Sequence, residues 1–474
     1  MPISPVWRSA LRLSPWSIFV FWVPLAATWL MMALEGPFLT ALIARCLDPK
    51  FNLAAHGVAF AFAILVEAPV IMIMSASAAL VEDADSYHTL RRYTWMLNAA
   101  ITLVMLVLVV PPVWNFIGLQ VIGLPSEVAR LTHGALLLLL PWPAAIGYRR
   151  FFQGLLIRDK LTRRVAYGTM IRLVIMVTTG FSLFRWSGMP GAYIGALSLS
   201  VAVCVEAAAS RWMVRGTLRR LLAAPVESVQ PDEVDAVVPT VSVVRDPTVG
   251  TLAHERQALT FGSITRFYYP LALTSMLGLA VHPLVTFFMG RARDPVESLA
   301  VLPVVNALSF VFRSFGLSFQ EVAIVLMGKG ERHYPELAQF AAVLALCASA
   351  GLGLFGYTAL GPLWFEHVAG LSVDLAQYAL PPTQILMLLP ALSVLLSLQR
   401  AVLVQVRSTG PITWATVIEV SGIVGMLLVL VQGWDLVGAT AAAWAFVLGR
   451  LAGNAWLIPP CRVALRDRDA HGAT

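Results

Sequence analysis

Charged residues are scarce in this chain of 474 residues, where Asp, Glu, Lys and Arg together make up 12% of the sequence. Hydrophobic residues account for 58%, and the mean hydropathy is +0.78. A soluble globular protein carries about twice that charged fraction, so the composition excludes this class. The chain is therefore predicted to be an integral membrane protein.

Cysteine and catalytic motifs are also lacking. The four cysteines are scattered, without the paired spacing of a metal site or a disulfide framework. The sequence contains no Walker A loop, no HExxH motif and no intramembrane nucleophile or paired-carboxylate constellation. We therefore expect no cofactor, no bound metal and no enzyme activity. Transport would draw on an ion gradient, with protons or sodium as the candidate coupling ions, or on the gradient of the substrate itself.

Long apolar stretches alternate with short connections along the chain. A spanning helix needs about 20 mostly apolar residues, and unbroken runs such as 101–110 favour helices over barrel strands. Twelve spans are predicted, at 17–44, 52–79, 93–114, 129–156, 164–184, 190–213, 260–289, 296–327, 335–358, 374–403, 411–432 and 436–459.

The two halves of the chain resemble each other. The sequence Phe-Trp-Val-Pro-Leu-Ala at 21–26 recurs as Phe-Tyr-Tyr-Pro-Leu-Ala at 267–272, and a second proline follows each copy, at Pro37 and Pro283. Both proline pairs are 246 residues apart, and Gly191-Ala192 recurs 247 residues later as Gly438-Ala439. Such internal duplication is typical of secondary transporters.

The repeat predicts an all-α membrane fold of two six-helix bundles, 1–213 and 260–474, joined by a cytoplasmic linker at 214–259. Six spans return the chain to its starting side, so the halves run in the same direction and their pseudo-two-fold axis lies along the membrane normal. The prolines of the first and seventh spans are predicted to bend these helices. Because each chain already contains both bundles, we expect a monomer.

Positive residues favour the cytoplasmic ends of spans, which orients the chain. We expect both termini to be cytoplasmic, in a multi-pass protein of the cell membrane, which is the inner membrane if the source is a Gram-negative bacterium. This distribution explains the net charge of +7 without a nucleic-acid partner, and these residues would attract anionic lipids. The residues assigned to the cytoplasmic side are Arg8, Arg12, Arg91, Arg92, Arg149, Arg150, Arg158, Lys160, Arg163 and Arg164.

Ionisable residues inside apolar spans are costly to bury and usually face an interior cavity. Glu35 precedes the proline bend of the first span, and His282 occupies the repeat position of Gly36 beside Pro283. Arg313 and Glu321 share a span at a spacing of eight residues, hence roughly one helix face. The candidate substrate- or ion-binding residues are Glu35, Glu67, Arg150, His282, Arg313, Glu321 and Arg400.

Several of these side chains have simpler explanations. Arg400, Arg450 and Glu206 could reach water at the cytoplasmic ends of their helices. Arg172 and Glu206 could form a structural ion pair. The mixture of signs leaves open whether the cavity suits anions, which arginines bind bidentately, or cations.

The ordered segments Val23–Ala26 through Glu35-Gly36, Tyr269–Leu273, Ser314–Glu321 and Val437–Thr440 resemble the progressive ankylosis (ANK) transporters of the multidrug/oligosaccharidyl-lipid/polysaccharide (MOP) exporter superfamily. The resemblance implies two six-helix bundles and export of small polyvalent anions such as pyrophosphate, citrate or nucleotides. Glu35 and Glu321 match acidic family positions and Arg400 approximately matches a basic one, whereas the apolar Leu65-Val66 before Glu67 departs from the pattern.

Three functional classes are thus open: an exporter of small polyvalent anions acting by alternating access, a proton- or sodium-coupled multidrug exporter of the MATE type, and a flippase for lipid-linked precursors.

Overall fold

The computed structural model describes residues 13–159, 161–223, 259–327, 333–406, 408 and 410–471. Within these residues, eleven helices are long and apolar enough to cross a membrane, and a bent pair after the second of them makes up to twelve. The twelve are α1 (Pro15–Ile43), α2 (Pro49–Leu80), α3 (Ala84–Leu108), α4 (Ser126–Arg158), α5 (Arg163–Trp186), α6 (Gly191–Met213), α7 (Phe261–Met289), α8 (Pro295–Leu326), α9 (Tyr334–Tyr357), α10 (Val373–Gln405), α11 (Gly410–Gly433) and α12 (Gly438–Arg466).

The third span differs from its prediction at 93–114. Its helix begins at Ala84, because Asp83 and Ser86 form a capping box there, and its first turns carry polar residues. After α3, the chain turns by 70° into the segment Pro111–Ile122, because two prolines start a new helix. The third crossing is therefore a bent pair rather than one straight helix.

The predicted linker at 214–259 begins with a short helix, Arg215–Ala223. Most of the linker, residues 224–258, lies outside the described residues.

The duplication of the sequence is repeated in backbone detail. α1 is interrupted at Leu34 and α7 at Ala280, 246 residues later. Each interruption follows the residue four positions before a proline, where the carbonyl loses its helical donor, so the breaks fall where Pro37 and Pro283 predict them. Pro24 and Pro270, which were also predicted to bend their helices, instead lie inside uninterrupted helical segments.

The turns that open the second helix of each half are also alike. Asp48 and Asp294, again 246 residues apart, both have φ of 50° just before the prolines that begin α2 and α8. A left-handed residue before each helix reverses the chain in the same way in both halves. The structure is thus two six-helix bundles with matching interruptions.

The first helix of each half crosses to the other half. The segment of α1 before its break, Pro15–Ala33, packs on α8, and the corresponding segment of α7, Phe261–Leu279, packs on α2. Ile18 and Trp22 are buried on this side of α1, and their repeat equivalents Ile264 and Tyr268 are buried on α7. The end of the molecule where α1 and α7 begin is called the terminal end, and the opposite end the distal end.

Candidate functional site

The N-terminal half contains a network of buried charges on α1, α4, α5 and α6. Arg172 Nη2 donates to Glu35 Oε1 at 2.5 Å, and its Nε lies 3.5 Å from Glu206 Oε2. Arg149 also donates to Glu206, and Gln153 Nε2 donates to its other oxygen at 3.2 Å. The Glu206 side chain has no exposed surface. Glu35 is therefore tied to the interior of its own half beside the α1 break.

Glu67 and Arg150 extend this network towards α2. The Trp142 indole donates to Glu67 Oε2, and Arg150 Nη1 lies 3.6 Å from Met74 Sδ. Arg149 and Arg150 act electrostatically on Glu67. The cluster holds three glutamates and three arginines, so its formal charges balance.

Arg149 and Arg150 were expected at the cytoplasmic end of the fourth predicted span, 129–156. Both lie within the helix Trp142–Arg158, and only 5% of Arg149 is exposed. Arg149 is paired with Glu206, 57 residues further along the chain, whereas Arg150 contacts Met74. Their cytoplasmic orientation stays a prediction.

The C-terminal half contains a second cluster, on α8, α10, α11 and α12. Arg450 Nε donates to Glu419 Oε1 at 2.7 Å, and both residues act electrostatically on Arg313 and Arg400. Neither Arg313 nor Arg400 has a hydrogen bond or an ion pair with any residue that the structure describes, and the Nε atom of each is buried. Three arginines therefore share one carboxylate, which leaves this cluster positively charged.

His282 lies next to the C-terminal cluster at the break of α7. Its side chain is exposed and lies within electrostatic range of Arg313. Arg313 and Arg400 are partly exposed, and both lie near the Arg450–Glu419 pair. Of the predicted residues, Arg313 is thus near both His282 and the pair that Arg400 also approaches.

Glu321 lies apart from these clusters. It is exposed on α8 and accepts a hydrogen bond from Trp29 Nε1 of α1 at 3.2 Å. The eight-residue spacing predicted that it shares a helix face with Arg313, but the structure assigns the two residues different surroundings.

Seven further residues belong to the clusters. Arg149, Trp142 and Gln153 have no sequence feature that distinguishes them from their neighbours. Arg172 and Glu206 were interpreted as a structural ion pair, which the structure contains. Glu419 is paired with Arg450. It stands 247 residues after Arg172, so this position of the repeat holds a basic residue in the first half and an acidic residue in the second.

Contacts made by Arg45, Arg291 and Lys50 join the two halves at the distal end and are together called the clasp. Arg45, at the end of α1, donates to the carbonyls of His367 and Val368 at 2.7 and 3.0 Å. Its repeat equivalent, Arg291, donates to the Gln120 carbonyl at 3.3 Å. Each arginine thus reaches the irregular segment that follows the third span of the opposite half, and the distal end is closed.

Lys50 and Glu297 form an ion pair between α2 and α8 in the same region. Lys50→Glu is expected to favour a distal-open arrangement by up to about fivefold, since a partly exposed pair contributes about 0.2–1 kcal/mol. Spin labels at Leu47 and Val373 would report the distance between the halves.

Adding Glu297→Lys should restore the original distance distribution. Arg130→Glu, which disturbs only the exposed pair with Glu127 inside α4, is the matched control. An unchanged distribution in Lys50→Glu would show that the pair does not hold the distal end closed.

A crevice of about 250 Å³ opens beside the α1 break, between α1, α8 and the segment Leu363–Val368. Its walls are apolar apart from Thr40, and Trp364 forms one side. The charged clusters do not line it. Among the described residues there is also no group of three His, Cys, Asp or Glu that could hold a metal ion.

No family model and no curated protein matches the chain. Solved structures match nearly all of it. The inward-facing conformation of a multidrug resistance MATE family transporter of the MOP superfamily has a TM-score of 0.71 at 12% identity, over 94% of this chain and 96% of that one. A lipid II flippase, MurJ, in an inward closed conformation has a TM-score of 0.67 at 12% identity, over 93% and 87% of the two chains.

An outward-facing MATE family transporter structure is less similar, with a TM-score of 0.58 at 13% identity over 97% and 98% of the two chains. At these identities the likeness establishes the fold, which is that of a twelve-helix MATE-like membrane protein.

Proposed function

We propose that this chain is an alternating-access transporter whose substrate carries a negatively charged group, and that Arg313 and Arg400 bind that group. The fold is shared with MOP superfamily transporters. The observation that carries the choice of charge is that these two arginines have no hydrogen-bond or ion-pair partner among the described residues, whereas the carboxylate nearest to them, Glu419, is paired with Arg450.

The carboxylates of the two charged clusters argue against a cationic substrate there. Glu35 and Glu206 are held by arginines, Glu67 accepts from Trp142, and Glu419 is paired with Arg450. A cation would have to compete with these partners, and breaking a buried ion pair is costly. An anion would instead meet two partly exposed guanidinium groups that have no partner in the part of the chain that the structure describes, and its charge-assisted hydrogen bonds to them would be strong.

We favour an anionic head group carried on a lipid, as in the flippase class. The apolar crevice beside the α1 break offers space for hydrocarbon next to the bundle interior, and one matched structure is that of a lipid II flippase. The second candidate is a small polyvalent anion such as pyrophosphate, citrate or a nucleotide, which the resemblance to the progressive ankylosis family implies. A multidrug exporter of the MATE type fits the fold but not the unpaired arginines.

The proposed cycle moves the anion between two openings. In the arrangement described here the clasp of Arg45, Lys50 and Arg291 closes the distal end, so substrate would enter at the terminal end. Release of that clasp would then expose the arginines to the opposite side. We propose protons or sodium as the coupling ion and the cell membrane as the site, with the terminal end cytoplasmic.

Transport by purified protein in liposomes distinguishes these classes. A fluorescent lipid-linked pyrophosphate, labelled pyrophosphate, labelled citrate and a cationic dye are compared under imposed proton and sodium gradients. Movement of the lipid-linked anion is expected, and movement of the free anions alone would favour the second candidate. Transport of the dye without any anion would refute the proposal.

A further inference from the structure

The α2 helix is interrupted just after Glu67 and Pro69. In a continuous helix the carbonyls of Ala68 and Pro69 would accept the amides of Met72 and Ile73. Here the Met72 amide turns to the Val70 carbonyl, and a new helical segment begins at Ile73. Freed carbonyls inside a membrane are costly unless another group donates to them.

The donors come from the opposite half of the molecule. The Tyr268 hydroxyl of α7 donates to the Pro69 carbonyl, and the Ser275 hydroxyl lies 2.7 Å from the Ala68 carbonyl as donor. Tyr268 and Ser275 are seven residues apart, so they occupy one face of α7. Ser275 can also donate to Ala272 of its own helix at 3.0 Å, so its bond to α2 can be given up. The break in α2 is therefore capped from α7.

The repeat equivalents on α1 do not perform this role. Trp22 and Trp29 stand 246 residues before Tyr268 and Ser275 and also donate across the interface, to Ser318 Oγ at 2.8 Å and to Glu321 Oε1 at 3.2 Å. Their acceptors are side chains, and α8 is continuous through this region. The duplication kept two donors on each crossing helix, but the acceptors are backbone carbonyls only in α2.

We propose that Tyr268 and Ser275 are positioning residues that keep α2 broken while α7 lies against it. When α7 moves away, the Ala68 and Pro69 carbonyls accept the hydrogen bonds of the Met72 and Ile73 amides, and α2 straightens. The segment after the break would then shift against α4. Met74 of this segment contacts Arg150 of α4, and Ser77 packs against Gly154 so closely that a larger side chain would not fit there. The position of one half is thereby transmitted to the charged cluster of the other.

Hydrogen–deuterium exchange of the full-length protein in nanodiscs tests this inference. Tyr268→Phe with Ser275→Ala removes both hydroxyls and leaves the ring to pack against Tyr93. Exchange of the Met72 and Ile73 amides is expected to slow by about tenfold, the protection that regained backbone hydrogen bonds provide. Tyr269→Phe, at a neighbouring tyrosine that is 63% exposed, is the matched control and should leave this exchange unchanged.

Trp22→Phe gives a second comparison, since it removes a crossing donor that does not reach α2. It should not alter exchange at Met72 and Ile73. Unchanged exchange in the double variant would overturn the inference, and so would faster exchange, because the hydroxyls would then hold the segment together rather than keep it broken. No substrate is added, so the result is independent of the proposed function.

Discussion

Replacing Arg313 or Arg400 by glutamine is expected to lower transport of the anionic substrate by about 10- to 100-fold each, and to raise the substrate concentration needed for half-maximal rate. A charge-assisted hydrogen bond contributes about 1.5–3 kcal/mol, which corresponds to this range. Because neither arginine has a protein partner in the described residues, its removal breaks no internal ion pair and the fold should persist. Initial rates in liposomes, normalised to folded protein, provide the measurement.

The size of the effect depends on charge and shape together. Lysine at either position keeps the charge but not the planar fork, so it should recover part of the activity. Arg130→Gln is the matched control, because Arg130 is an exposed arginine that pairs with Glu127 near the start of α4. If both glutamine variants transported the anion at the normal rate, these arginines would be excluded from the substrate site.

Glu206→Gln is expected to be the most destabilising single change in the N-terminal cluster. Glu206 is fully buried and faces both Arg149 and Arg172, so its loss leaves an uncompensated charge that costs about 3–5 kcal/mol. The yield of monodisperse protein and the temperature of its thermal unfolding should both fall.

Two comparisons separate charge from packing in this prediction. Glu419→Gln removes a carboxylate that has a single arginine partner and is 16% exposed, so its effect should be smaller. Combining Glu206→Leu with Arg149→Met removes the pair while Arg172 keeps Glu35, and it should recover much of the stability, because apolar replacement of a buried pair is often neutral. A Glu206→Gln protein as stable as the original would show that the network is not structural.

The repeat in the sequence predicted more of the backbone than its weak local identity suggests. The spacing of 246 residues that relates Pro37 to Pro283 also relates the two helix breaks and the left-handed residues Asp48 and Asp294. These features depend on local effects, since a proline removes a donor at a defined position and a tight turn needs a particular backbone conformation. The helix breaks could therefore be predicted from the positions of Pro37 and Pro283, whereas the left-handed residues were found only in the structure.

The structure brings most, but not all, of the candidate residues together. Glu35, Glu67 and Arg150 do lie together, as do His282, Arg313 and Arg400, whereas Glu321 lies apart beside Trp29. Arg149 was assigned to the cytoplasmic end of the fourth span without an ion-pair partner. No local feature shows that its partner, Glu206, lies on another helix.

The sequence by itself determined the class of protein, the spans apart from the bent third, the duplication and the positions where α1 and α7 break, because composition, hydropathy and proline act over a few residues. Only the tertiary structure decided which charges are paired. Glu206 is shared by two arginines and Glu419 is paired with Arg450, so Arg313 and Arg400 have no carboxylate partner among the residues that the structure describes. That outcome depends on how helices distant in sequence are rotated and packed, because an ion pair needs contact within about 4 Å, which residue spacing along the chain does not specify.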